Sequence, residues 1–107
     1  MHVFNDDTVE RIRRLLDEKI GRGVLDVLPG EVIDRGGLLI LFVNSPEYVR
    51  FRDERKSIIG YGPLLLEKES GRVFLAGSSV GVDELLMEYV TGRMRGVFEL
   101  GTIGSSV

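Results

Sequence analysis

The six consecutive apolar residues Leu38-Leu39-Ile40-Leu41-Phe42-Val43 constrain the fold more than any other stretch of the chain. Side chains alternate across a strand, so a short unbroken apolar run implies a strand buried on both faces, and its length favours that reading over a helix. Gly36-Gly37 supplies a tight connection into the run. Asn44-Ser45-Pro46 ends it, because the residue before proline is pushed to extended backbone and Asn and Ser favour turns. Two further apolar runs, Leu64-Leu65-Leu66 and Val73-Phe74-Leu75, flank Glu67-Lys68-Glu69-Ser70-Gly71-Arg72. Ser70-Gly71 offers the left-handed residue that a short hairpin loop requires. Val24 to Asp34 is interrupted by Pro29-Gly30 and suits an edge strand, where a missing N–H donor is tolerated.

Two segments carry helical periodicity. From Asp7 to Ile20 the residues Val9, Ile12, Leu16 and Ile20 recur at spacings of three and four, with Leu15 widening the stripe. Asp7 or Thr8 is placed to cap this helix, Asp7 and Glu10 have capping-box spacing, and Gly21 with Gly23 provides the stop. Its polar face holds Arg11, Arg13, Arg14, Asp17, Glu18 and Lys19, with Glu10 and Arg14 at a supportive spacing. Val82, Leu85, Leu86, Tyr89 and Val90 predict a later helix, capped by Ser79 and stopped by Gly92. Between them, Glu47 to Ser57 reads as a long connection with room for a helical turn. Val97 to Leu100 predicts a short strand that closes its own sheet or adds to a neighbour's in a two-fold dimer, followed by a loose tail over 101–107. The whole predicts an α+β domain: an N-terminal helix, an antiparallel sheet of about four to five strands, and a C-terminal helix packed on the same sheet face. At 107 residues and 11.9 kDa, the chain fills one domain.

Composition then narrows the function. The chain has 0 Cys and a single histidine, His2, so it offers no disulfide, no thiolate nucleophile, no Cys- or His-based zinc site and no His-dependent triad. A net charge of -3 and a pI near 5.2 disfavour a nucleic-acid binder, which normally presents a net basic surface. The first residues lack the basic and apolar regions of a signal peptide, and no apolar run approaches the roughly 18 residues of a membrane span. The expectation is a cytoplasmic protein with no membrane partner and no cofactor.

Several clusters bear on chemistry. Gly60-Tyr61-Gly62-Pro63 precedes a strand and fits neither a P-loop nor a dinucleotide fingerprint, so Gly60, Gly62 and Pro63 read as a structural turn. Tyr61 within it is a candidate exposed anchor, since tyrosine presents a large rigid area at small entropic cost. Arg50, Arg52, Arg55 and Lys56 form the one local basic cluster, interleaved with Tyr48 and Phe51 and diluted by Asp53 and Glu54. This pattern reads first as a solvated loop, then as a protein contact, and least as a site for single-stranded nucleic acid. Asp83, Glu84 and Glu88 place carboxylates on the start and outer face of the later helix, where they read first as ordinary surface acids favoured by the helix dipole, unsuited to paired acid-base work, and only secondarily as a contact face. Asp6-Asp7 and Glu67-Glu69 match no calcium-loop spacing. Ser78-Ser79 offers a nucleophile only if a base stands nearby.

Residues 59–89 carry a resemblance. Ile59-Gly60-Tyr61-Gly62-Pro63-Leu64-Leu65-Leu66-Glu67-Lys68-Glu69-Ser70-Gly71-Arg72-Val73-Phe74, then Gly77-Ser78-Ser79 and Leu85-Leu86-Met87-Glu88-Tyr89, resembles the YrhB-type domain, also called the immunity protein 35 family. The shared order is a Gly-x-x-Pro turn, an apolar strand, a turn ending in glycine at Gly71, a second strand, a Gly-Ser step at Gly77, and a helix ending near Glu-Tyr. Members often carry Trp near the start of the central strand, where this chain has Leu38-Leu39. The resemblance implies a small α+β protein that neutralises a cognate bacterial toxin by binding it, and it brings no catalytic residues. A non-enzymatic immunity-type protein is thus the first expectation, and an acidic inhibitor would meet a basic toxin with electrostatic steering. A general holdase is the alternative, and a small enzyme with an unrecognised site comes third.

Overall fold

The computed structural model describes residues 6–28, 30–58, 60–77, 81–93 and 97–104. The fold is α+β. Helix α1 spans Asp6–Lys19, and strands β1 (Asp26–Val27), β2 (Ile33–Arg35), β3 (Leu38–Leu41) and β4 (Val43–Asn44) follow. A short helix α2 (Pro46–Phe51) and a 3₁₀ turn (Glu54–Lys56) lead to the hairpin β5 (Tyr61–Glu67) and β6 (Arg72–Gly77), then α3 (Val82–Thr91) and β7 (Val97–Thr102). Five strands form one antiparallel sheet in the order β2-β3-β5-β6-β7, and β1 pairs separately with β4.

Alternation along the central strands divides the core into two layers. Leu39, Leu41, Leu64, Leu66, Val73 and Leu75 face α1, where Ile12 and Leu16 are fully buried among them. Ile40, Leu65, Phe74 and Ala76 point the other way and pack against Leu85 of α3, with Val82, Leu86 and Tyr89 around it. The two helices therefore cover opposite faces of the sheet, correcting the expectation that both share one face. The physical reason lies in the apolar run itself: every residue from Leu39 to Leu41 is buried, and a strand apolar on both sides needs a cover on both sides.

Other expectations are refined locally. Val24 to Asp34 is not one edge strand but β1 and β2 in different sheets, with β2 at the edge. Asp7 and Thr8 lie inside α1 rather than at its cap, Asp7 pairs with Arg11, and Glu10 pairs with Arg13 instead of Arg14. Gly81 occupies the N-cap of α3 with no side-chain bond, while Ser79 lies outside the described residues; Gly92 closes the helix in the left-handed region, as expected. Pro63 sits within β5 at an irregularity between Tyr61 and Leu64, where no ladder donor is required. β7 closes the chain's own sheet against β6 and runs on through Gly101 to Thr102, and Ile103 is buried, so 101–104 is not a loose tail. Gly71, at φ 77, makes the hairpin turn and binds the same segment, accepting from the Ile103 N–H at 2.8 Å.

Candidate functional site

The long connection after β4 is an ordered structure built on Asn44 and Ser45. The Ser45 hydroxyl accepts from the Tyr48 N–H at 3.0 Å, capping α2, and donates to the Lys56 carbonyl at 2.6 Å. The Asn44 side-chain oxygen accepts from the Ser45 and Ile58 N–H groups, both at 2.8 Å. Two adjacent side chains thus fasten the start and the end of the excursion together. Ser45 is buried, and α2 has no buried residue of its own, so these hydrogen bonds hold what packing does not. Asp53 caps the 3₁₀ turn through the Arg55 N–H, and the Arg55 guanidinium holds its carboxyl below the usual range.

This fastening presents Phe51 to solvent with 70% of its surface exposed. Arg50 lies 5.9 Å from the Phe51 ring centre, and Arg52 lies 5.6 Å from that of Tyr48. Arg52 also reaches Glu31 at 3.7 Å, and Arg55 pairs with Asp53 at 3.1 Å. The four residues Arg50, Arg52, Arg55 and Lys56 of the sequence cluster are all exposed on α2 and the segment that follows, and two of the cations are tied to acids. Arg52 adopts φ 55, the one left-handed non-glycine conformation among the described residues. That conformation ends α2: Arg52 is its C-cap, and its N–H donates to the Tyr48 carbonyl at 2.8 Å.

The other candidate residues are placed apart from this surface. Tyr61 is not an exposed anchor: it is half-buried against the α1-side core, because strand alternation beyond the irregularity in β5 turns it inward. Asp83 and Glu84 are exposed at the start of α3, whereas Glu88 is half-buried. Met87 and Val90 add apolar exposure on that helix, at 65% and 78%. Ser78 and Ser79 lie outside the described residues. Among the described residues, no three His, Asp or Glu side chains converge to hold a metal ion. No described helix is long and apolar enough to cross a membrane.

A polar network missed at the sequence level joins α3 to the hairpin. Glu67 accepts from the Tyr89 hydroxyl on one oxygen and from the Ser70 hydroxyl on the other. Arg72 stands 3.8 Å from Glu67, grips Glu99 through two hydrogen bonds of 3.0 and 3.1 Å, and lies over Phe74. Burial raises the Glu67 carboxyl, but the Ser70 and Tyr89 hydrogen bonds and the Arg72 charge together bring it below its ordinary value. The hydrogen bond to Glu67, then burial, raises the Tyr89 phenol. The adjoining cleft, about 500 Å³, is lined by Arg35, Glu67, Glu69, Ser70 and Tyr89, of which Glu67, Ser70 and Tyr89 bond one another. The Tyr89–Glu67 bond fastens the helix to the sheet and moves the Glu67 carboxyl down and the Tyr89 phenol up, both away from neutrality. No signal in the sequence joins Glu67 to Tyr89, 22 residues apart.

No family model, no curated protein and no solved structure matches the chain.

Proposed function

We propose that the chain is a non-enzymatic binding protein of the immunity type, which occludes a cognate toxin through the surface formed by α2 and the 3₁₀ turn. The observation that carries this reading is Phe51, 70% exposed on a segment pinned at both ends by Asn44 and Ser45. An aromatic flanked by arginines on a pre-ordered support matches the residues that dominate protein interfaces. Little ordering entropy remains to be lost on docking. The motif of residues 59–89 favours a toxin as the partner. Interleaving with Glu47, Asp53 and Glu54 makes the surface a poor phosphate track, which favours protein over nucleic acid.

Phe51→Ala is expected to weaken binding of the stoichiometric partner at least tenfold while leaving the unfolding midpoint within about 0.5 kcal/mol of wild type. An isothermal titration paired with urea unfolding reads both quantities. The exposure of Met87 and Val90 on α3 favours a second reading, a general holdase. That reading requires protection of unrelated clients in an aggregation assay, and Phe51→Ala would not change it.

A further inference from the structure

Beside α2, the C-terminal end of α1 and the following turn enclose an open cleft of about 410 Å³, bordered by Arg13, Asp17, Arg22, Asp26, Pro46 and Arg50. Three arginines face two aspartates there, and both aspartates are engaged. Asp26 accepts from the Arg13 guanidinium at 2.7 Å and from the Val27 N–H at 2.8 Å, and Asp17 accepts from the Gly23 N–H at 3.2 Å. Arg13 is held further by Glu10 at 2.9 Å. Arg22 and Arg50 are different: both are exposed, and neither has an ion-pair partner among the described residues. Arg50 is also the residue that leans over Phe51, so the cleft continues directly into the proposed docking surface.

We infer that this cleft is the recognition site for an acidic segment of the partner protein, with Arg22 and Arg50 gripping its carboxylates. The inference rests on the binding reading given above and adds the chemistry of the partner's contact. A guanidinium presents a planar fork that matches a carboxylate through two parallel hydrogen bonds. Arg13, already satisfied by Asp26 and Glu10, forms the fixed wall of the cleft. The volume exceeds what one carboxylate fills and suits a side chain with its flanking backbone. A phosphate backbone fits less well, because Asp17 and Asp26 stand in the same wall and the protein is net negative.

The test uses the intact protein and a Glu-rich decapeptide as probe, with oligo-dT and inorganic phosphate in parallel, followed by NMR shifts at the arginine Nε–H groups and by titration. The peptide is expected to move the Arg22 and Arg50 signals and to lose at least tenfold in affinity against the Arg22→Glu/Arg50→Glu variant. Arg35→Glu, on a distant strand, is expected to bind as wild type. Absence of peptide binding, equal binding by the double variant, or tighter binding of oligo-dT or phosphate than of the peptide would overturn the inference. Circular dichroism of the double variant confirms that it is folded, and Arg22→Gln/Arg50→Gln repeats the test if it is not. The partner titration with Phe51→Ala reports separately on the docking surface. Peptide binding with an unaffected partner titration would defeat the docking reading alone, and the reverse would defeat this inference alone.

Discussion

Arg52 ends α2 as a left-handed C-cap, a conformation that costs an L-residue about 1 kcal/mol or more, and its side chain reaches Tyr48 and Glu31 on the candidate surface. Arg52→Gly is therefore expected to keep or raise stability, by up to about 1 kcal/mol, while weakening partner binding; thermal unfolding and titration separate the two effects. Gly71 behaves oppositely. A Cβ there would run into the Gly104 backbone at a φ of 77, so Gly71→Ala should lose about 3 kcal/mol in urea unfolding. Glu67 gives a pH signature. Its native carboxyl titrates below its unfolded value, so its contribution is present above the ordinary carboxylate range and is lost as pH falls through the native value. The stability gap between wild type and Glu67→Gln should be constant from about pH 6 to 8 and shrink on acidification below about pH 4. Tyr89, raised by the same hydrogen bond, loses its share only as pH climbs through its native value at the alkaline end.

Among the elements, the legible ones were those whose own residues fix their surroundings. The hairpin around Gly71 and the stripe of α1 form where periodicity places them, whereas the run from Leu38 to Val43 divides at Phe42 into β3 and β4 in different sheets, and Val90, expected in the buried stripe of α3, is exposed. The order helix, strands, helix suggests one covered face, but the run, together with Leu65 and Phe74 in the hairpin, demands two, and α3 supplies the second cover. Helix α2 was legible only as a connection with room for a turn: with six residues and none buried, it leaves no apolar period, and its stability comes from Asn44 and Ser45 outside it. Arg50 to Lys56 were visible as a cluster, yet Phe51, the residue that gives the surface its character, is marked out only by its exposure. The two-face arrangement predicts that Leu85→Ala, removing the fully buried side chain beneath α3, costs about 3 kcal/mol in denaturant unfolding. A helix lying free of the sheet would lose far less.

For the molecule as a whole, net charge and local chemistry diverge. The chain is net negative, and Asp83 and Glu84 stand exposed on α3, while Arg22 and Arg50, without an ion-pair partner among the described residues, border the cleft beside α2. Diffusional steering follows the summed charge, whereas the docked contact follows the local groups. The two helices on opposite sheet faces give the molecule distinct sides, and the proposed docking surface belongs to α2 and the 3₁₀ turn, not to α3. Its most direct test is affinity purification of the tagged protein from its native host, followed by titration of the stoichiometric partner against wild type, Phe51→Ala and Met87→Ala. The account predicts that binding weakens at least tenfold, about 1.4 kcal/mol, with Phe51→Ala and is unchanged with Met87→Ala. Binding that survives loss of the Phe51 ring, or that is lost with Met87 instead, would contradict it.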